Sequence, residues 1–330
     1  MTCLVGTSKS QVITLLKREY NLSMLGNSNV WEKLGRIIVP DPAIKWMVTH
    51  TGASFAIPIN ESSIFNIYVT GRDSKNRSHI GKIQIDIKNP RNVLKISPEP
   101  IFSPGELGTF DENGVSYPYI VQHNEYLCMY YVGWMPTVLT GFQNHLGLAR
   151  SLITTDEFKR VSKAPILPRT NEEPYGTGSA CIIKEDNLWR MWYTVWKRWG
   201  EQLGEFKHYY IIRYAESNDG INWQRSTHNC IDYKNDNEYA ICKPSVIKLD
   251  KYHMWYTYRG EQYRIGYAHS NDGINWERAD ELVKIGVSES GWDSKAISYP
   301  YIFKYENSLY MLYCGNEYGK EGLGLAQLKL

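Results

Sequence analysis

From about Val30 onward, short runs of alternating apolar and polar residues follow one another, each stopped by Gly, Asn, Asp or Pro. That is the spacing of half-buried β-strands. One stretch occurs twice: Arg213-Tyr-Ala-Glu-Ser-Asn-Asp-Gly-Ile-Asn-Trp223 returns 53 positions later as Gly266-Tyr-Ala-His-Ser-Asn-Asp-Gly-Ile-Asn-Trp276, with nine of eleven residues identical. A repeat of this kind decides the architecture before any single element does. His145-Leu-Gly-Leu-Ala-Arg-Ser151 and Gly322-Leu-Gly-Leu-Ala326 match its first half, and Ser78-His-Ile-Gly-Lys-Ile83 does so more weakly. Aligning Gly81, Gly147, Arg213, Gly266 and Gly324 gives spacings of 66, 66, 53 and 58.

Each of these runs follows a Tyr-rich run (Ile67-Tyr-Val69, Met129-Tyr-Tyr131, Met191-Trp-Tyr193, Met254-Trp-Tyr256, Met311-Leu-Tyr313) and, before that, another apolar run. Outer segments such as Phe158-Lys-Arg160, Trp223-Gln-Arg225 and Trp276-Glu-Arg278 come after. Three or four short strands repeated five times predict an all-β chain, a five-bladed β-propeller with four-stranded antiparallel blades. The fifth repeat ends at Leu330 without an outer segment, and Trp31-Glu-Lys33 resembles Trp276-Glu-Arg278. That N-terminal strand is expected to complete blade five and close the ring, covering an open edge. Residues 27–330 then form one propeller domain, and 1–26 an N-terminal extension with a short helix over Gln11–Glu19. The Asn-Asp-Gly turn reads as structural: Gly supplies positive φ, Asp bonds the local backbone in a tight hairpin, and Trp223 and Trp276 cover the space between blades.

In an antiparallel blade, the residues before strand one and after strand two emerge on one face around the axis. Asp111 lies seven before Pro118, Glu173 seven before Ala180, Glu238 six before Pro244 and Asp293 seven before Pro300. Blade one instead has His50, four before Ser54. The loops after strand two add Arg72, Asp73, Trp134, Lys197, Arg198, Trp199, Arg259, Tyr263, Arg264, Asn316 and Tyr318, and His208 shares their face. A ring of acids among aromatics and Arg suits glycoside chemistry, which needs one protonated and one ionised carboxyl. Crowding them raises the pKa of at least one. The competing reading is that these acids accept N–H bonds or pair with cations, and so tie the blades together.

Composition narrows the choice. The 25 Tyr and 11 Trp favour strands, and 42% apolar residues supply a core. Net charge is +2 with no block of like charge, which argues for neither nucleic acid nor an anionic membrane as partner. No signal pattern and no apolar run of about 18 residues appear, so no membrane span is expected. The scattered Cys3, Cys128, Cys181, Cys230, Cys242 and Cys314 fit reduced thiols in the cytoplasm. No zinc spacing, dinucleotide fingerprint, P-loop or nucleophile elbow is present, so neither metal nor cofactor is expected.

Gly71-Arg-Asp73, Gly108-Thr-Phe-Asp111, Tyr131-Val-Gly-Trp134, both Ser-Asn-Asp-Gly-Ile-Asn-Trp segments, Tyr258-Arg-Gly260 and Gly291-Trp-Asp-Ser294 together resemble a bacterial glycosidase-like five-bladed propeller family. That family is associated with surface-polysaccharide biosynthesis. It lies in the arabinanase, levansucrase and invertase-type superfamily (family 43/32-like), with mannoside phosphorylases as more distant relatives. The resemblance covers roughly residues 30–330. It implies a carbohydrate or nucleotide-sugar ligand in the axial funnel. Asp111, Glu238 and Asp293 are then the catalytic candidates. His50, Arg72, Asp73, Trp134, Glu173, His208, Arg259, Tyr263 and Asn316 are the substrate-binding ones. Arabinanase-like enzymes take a general-base Asp from blade one, where this chain offers His50 and only a distant Asp41, so their inverting hydrolysis does not carry over. The Arg and His residues suit phosphate contacts. Three readings follow: a glycoside hydrolase-like enzyme, a phosphorylase or glycosyl transferase, and a non-catalytic sugar-binding propeller.

Overall fold

The computed structural model describes residues 30–60, 62–202 and 205–330. The extension over 1–26 and its expected helix lie outside the described residues. Strands follow in groups of four, each pairing antiparallel with its successor. The first group is β2 (Thr51–Pro58), β3 (Ile64–Arg72), β4 (Ser78–Asp86) and β5 (Val93–Ile96). The second is β6 (Gly114–His123), β7 (Tyr126–Thr137), β8 (Gly141–Leu152) and β9 (Lys159–Arg160), joined to the first by one parallel pair, Ser78 with Gly114. The third is β10 (Thr177–Glu185), β11 (Leu188–Gln202), β12 (Glu205–Ser217) and β13 (Gln224–Ile231). The fourth is β14 (Cys242–Lys248), β15 (Tyr252–Arg259), β16 (Tyr263–Ser270) and β17 (Glu277–Arg278).

The fifth group has β18 (Ser298–Tyr305), β19 (Ser308–Cys314) and β20 (Leu323–Lys329), and its outermost strand is β1 (Glu32–Ile38) from the other end of the described chain. Glu32 lies opposite Gln327 and Ile38 opposite Leu323, so the segment expected beside residues 322–330 does pair there. No α-helix occurs among the described residues. The first strands pack in cyclic order: β2 on β6, β6 on β10, β10 on β14, β14 on β18, and β18 back on β2.

The repeated Ser-Asn-Asp-Gly stretch is a longer turn than a tight hairpin. Residues 218–223 separate β12 from β13, because Asp219 Oδ1 accepts the N–H groups of both Ile221 and Asn222 at 2.8 Å and so organises a wider loop. Gly220 has φ 72° and Gly273 φ 77°, as a positive-φ position requires. The Gly220 carbonyl accepts the Tyr130 hydroxyl at 2.8 Å, and the Gly273 carbonyl accepts the Trp192 indole N–H at 2.7 Å. Each turn is thereby tied to the preceding group.

Every first strand carries a bulge near its start, with register skips at Thr51/Ser54, Ser116/Tyr119, Thr177/Ala180, Cys242/Ser245 and Ser298/Tyr301. Alignment on the second strands makes Ala53, Tyr117, Ser179, Lys243 and Tyr299 equivalent. Tyr117, Lys243 and Tyr299 have φ of 53°, 53° and 58°, and each precedes a Pro, which disfavours the right-handed helical region for it. The neighbouring group holds each of these strained residues by its N–H. Tyr117 donates to Thr70 Oγ1 at 3.0 Å, Lys243 to Ser179 Oγ at 3.0 Å and Thr194 Oγ1 at 3.3 Å, and Tyr299 to Thr257 Oγ1 at 2.7 Å. At Tyr299, removing the Thr257 hydroxyl takes away the acceptor of a buried N–H. Thr257→Val is expected to cost about 1–3 kcal/mol of unfolding free energy, measured by urea titration.

Candidate functional site

The four acids found ahead of the first strands are buried, and each is already engaged. Asp111 accepts the Tyr131 hydroxyl at 3.0 Å and Arg160 Nε at 2.7 Å. Glu173 accepts the Tyr193 hydroxyl at 2.6 Å, Arg225 Nη1 at 2.8 Å and Arg213 Nη1 at 3.3 Å. Asp293 accepts the Tyr313 hydroxyl at 3.0 Å and Lys33 Nζ at 2.7 Å. Glu238 takes a two-pronged contact from Arg278, 2.7 and 2.8 Å, while Tyr256 turns to Asp280 instead. The tyrosine always comes from the second strand. Arg160, Arg225, Arg278 and Lys33 come from the fourth, so Lys33 in β1 stands where the arginines stand elsewhere.

Group one lacks this arrangement. Trp46, Phe110 and Trp292 each lie across two glycines: Gly71 and Gly81, Gly133 and Gly147, Gly315 and Gly324. A Cβ at any of these glycines would run into the ring. The next residue is Met47 in group one but Asp111 and Asp293 in groups two and five, and Val69 replaces the tyrosine.

The open site is a cavity of about 480 Å³ to which all five groups contribute. Of the residues singled out by loop position, His50, Arg72, Trp134, His208, Tyr263 and Tyr318 line it. Asp111, Glu173, Glu238 and Asp293 do not, and among the described residues no carboxylate does. Asp73 is also off the wall, held by Arg77 Nε at 2.9 Å and His79 Nε2 at 3.3 Å. Asn316 is spent on the backbone N–H groups of Lys295 and Ala296, at 2.8 and 3.1 Å. Arg259 stands behind the wall, donating to the Tyr318 hydroxyl at 2.8 Å with its guanidinium 5.0 Å from the Tyr263 ring centre.

Sequence reasoning missed much of the floor. Tyr117 and Tyr299 sit there with ring centres 5.2 Å apart, placed by the two bulges. A signal was present: Ser-Tyr-Pro-Tyr occurs at 116–119 and again at 298–301. Tyr210, Phe142 and Asn144 complete one side, with His208 stacked on Tyr210 at 4.6 Å. Arg72 is the charged side chain of the wall among the described residues. Its Nη1 donates to Asn76 Oδ1 at 2.8 Å and its guanidinium lies 5.8 Å from the Trp134 ring. Burial, then Arg72, pushes the His50 imidazole down to about 4. Burial, then Arg259, does the same to His208. Both are therefore neutral at pH 7. Among the described residues, His208 Nε2 and Asn144 Oδ1 are buried polar atoms without a hydrogen-bond partner, on two residues that line the cavity.

No family model matches the chain. Two curated proteins of Mycobacterium tuberculosis, Uncharacterized protein MT1551 (strain CDC 1551 / Oshkosh) and Uncharacterized protein Rv1502 (strain ATCC 25618 / H37Rv), are each 37% identical over 303 residues. The match spans 91% of this chain and 99% of theirs. The chain belongs to the same family as these two mycobacterial proteins. Solved structures similar to this family member are glycosidase-like propellers at low identity. A glycoside hydrolase matches with TM-score 0.70 at 17% identity, covering 91% of this chain and 92% of the other. A structure from work on the GH130 family of mannoside phosphorylases, which contains glycoside hydrolases that target β-1,2 mannosidic linkages in Candida mannan, matches with TM-score 0.69 at 15%, covering 91% and 93%. The Bombyx mori GH32 β-fructofuranosidase BmSUC1 matches with TM-score 0.57 at 14%, covering 90% and 61%. These likenesses establish the fold.

Two predictions follow from the geometry. Asp111→Asn strands Arg160 and the Tyr131 hydroxyl, so unfolding free energy in guanidinium should drop by about 3–5 kcal/mol. The pair Asp111→Leu with Arg160→Leu should recover most of that loss. The second concerns acid. Burial first, then Arg169, also pushes His145 down to about 4. Between pH 6.5 and 4 the unfolded chain takes up protons that His145 and His208 refuse in the folded state. Stability therefore falls as pH drops through that window and is fully reduced below it. His208→Gln should flatten the slope by roughly 2 kcal/mol, read from unfolding free energies at pH 7 and pH 4.

Proposed function

We propose that the cavity binds a sugar bearing a phosphate, a sugar phosphate or nucleotide-sugar of polysaccharide metabolism, and that the buried acids are structural pins. On this reading the five strand groups are the blades of a five-bladed propeller closed by β1, and the cavity is its axial funnel. The observation that carries it is the wall itself: aromatic faces, one guanidinium, two neutral imidazoles, and no carboxylate among the described residues. Aromatic faces pack on the apolar faces of sugar rings. A guanidinium fork matches a phosphate, and the neutral imidazoles and Asn144 suit hydroxyls. Paired-carboxylate glycosidase chemistry needs two carboxyls about 5–10 Å apart across the sugar. Asp111, Glu238 and Asp293 are instead occupied by Arg160, Arg278 and Lys33. The fold shared with glycoside hydrolases and mannoside phosphorylase relatives supports a sugar ligand. Cys128, Cys181, Cys230, Cys242 and Cys314 are buried free thiols, in keeping with a reducing compartment.

The same guanidinium favours a second reading, phosphorolysis or glycosyl transfer, in which product forms only with added phosphate or acceptor. The test is titration calorimetry with glycosyl 1-phosphates, nucleotide-sugars and neutral glycosides. The phosphate-bearing ligands should bind, and Arg72→Ala should weaken them by about tenfold or more. Trp134→Ala should weaken the sugar portion of every ligand that binds. Equal affinity for neutral glycosides, unchanged by Arg72→Ala, would sink the phosphate assignment. Sugar release abolished by Asp111→Asn in a protein that remains folded would restore that acid to catalysis.

A further inference from the structure

We propose that the ligand of this cavity carries two phosphoryl groups, as a nucleoside diphosphate-sugar does, and that Arg259 binds the second once Tyr318 turns away from it. This rests on the phosphate reading given above and names the ligand more closely. Val69 lies opposite Gly81 in group one, and Tyr256 opposite Gly266 in group four. Arg72 and Arg259, three residues on, therefore hold the same position in their groups, each at the end of a second strand. Each guanidinium has a neutral acceptor at 2.8 Å, Asn76 Oδ1 for Arg72 and the Tyr318 hydroxyl for Arg259. Among the described residues neither forms an ion pair with a carboxylate, in contrast to Arg160, Arg225 and Arg278.

Arg72 lines the cavity and Arg259 does not, although Tyr263 and Tyr318 beside it both do. The Arg259 guanidinium lies 5.0 Å from the Tyr263 ring centre and 5.3 Å from that of Tyr239. Tyr239 and Tyr263 are buried, but Tyr318 is 44% exposed, so it is the ring with room to move. Glu317 and Tyr318 both have a left-handed backbone, with φ of 53° and 60°. Consecutive non-glycine residues in that region are strained, and such strain gathers at ligand clamps and switch segments. The adjoining ion pair of Lys320 with Glu317 is exposed at both ends and holds the segment only weakly. An anionic phosphoryl oxygen bonds a guanidinium more strongly than a neutral phenol oxygen does. A second phosphoryl group therefore displaces the Tyr318 hydroxyl from Arg259. A ligand with one such group is held at Arg72 and leaves that bond in place.

The experiment is titration calorimetry of the full chain with inorganic pyrophosphate and orthophosphate, for wild type, Arg72→Ala, Arg259→Gln and Tyr318→Phe. Wild type should bind pyrophosphate about tenfold or more tightly than orthophosphate. Arg259→Gln should remove that advantage and leave orthophosphate affinity unchanged, whereas Arg72→Ala should weaken both anions. Tyr318→Phe unlatches Arg259 and should tighten pyrophosphate alone, by about threefold. Orthophosphate binding that depends on Arg72, with no pyrophosphate advantage or with one that survives Arg259→Gln, overturns this inference and leaves the phosphate reading standing. Binding of neither anion, or binding unchanged by Arg72→Ala, overturns the phosphate reading and this inference with it. Where a variant does not fold, pyrophosphate-soaked wild-type crystals decide. A phosphoryl oxygen on Arg259 Nη1 with the Tyr318 ring displaced is expected, and bound pyrophosphate with Tyr318 still on Arg259 overturns the assignment.

Discussion

A carboxylate withdrawn from water ahead of a first strand has to find a cation, and in this fold the cation comes from the outermost strand of the same group. Asp111 with Arg160, Glu173 with Arg225 and Glu238 with Arg278 each tie the inner edge of a sheet to its outer edge, with a tyrosine or a second acid filling the remaining valence. Desolvation makes such a contact close to all-or-none, because either partner left alone in the interior costs several kcal/mol. In the fifth group the cation is Lys33, which comes from the opposite end of the described chain. Segments 260 residues apart are therefore held by charge, and the ladder between β1 and β20 joins the two ends of the described chain as well. That ladder alone has two register irregularities within seven residues.

The same economy shapes the floor of the cavity. A bulge at the start of each first strand turns one residue out of the ladder, and in three groups that residue has a left-handed backbone. Such a conformation costs about 1–3 kcal/mol. It persists because Thr70, Thr194 and Thr257 accept the displaced N–H across the seam between neighbouring groups. Strain within one group is thereby offset by contacts with another. Its product is two tyrosine rings, Tyr117 and Tyr299, meeting edge to face in the cavity wall.

The repeat made the architecture legible because strand period and turn residues act locally. It also picked out the four acids ahead of the first strands in groups two to five, though none of them lines the cavity. Their role was not legible, since a buried carboxylate is defined by what reaches it, and the arginines lie about 40–50 residues downstream. The clue lay in the outer segments themselves, where Phe158-Lys-Arg160, Trp223-Gln-Arg225, Trp276-Glu-Arg278 and Trp31-Glu-Lys33 all end in a cation. Loop position found His50, Arg72, Trp134, His208, Tyr263 and Tyr318, all of which line the cavity. It failed for Asp73, Arg259 and Asn316, which bond residues behind the wall. It could not see Tyr117 or Tyr299, because a strand residue turned inward by a bulge keeps the alternation of an ordinary strand.

Group one shows why the site is lopsided within a nearly regular ring. There Met47 and Val69 stand in place of acid and tyrosine, so apolar packing rather than an ion pair secures the approach to β2. A group secured in that way needs no acid at the rim. Its polar residues His50, Thr70, Arg72, Asn76 and Ser78 line the cavity, whereas groups three, four and five contribute mainly rings. In the pinned groups each rim carboxylate is neutralised where it stands. Arg72 is then the charged side chain of the wall among the described residues, with the Arg259 guanidinium beside Tyr263. On the function proposed above, such a site selects for negative charge on its ligand by leaving its own negative charges committed elsewhere.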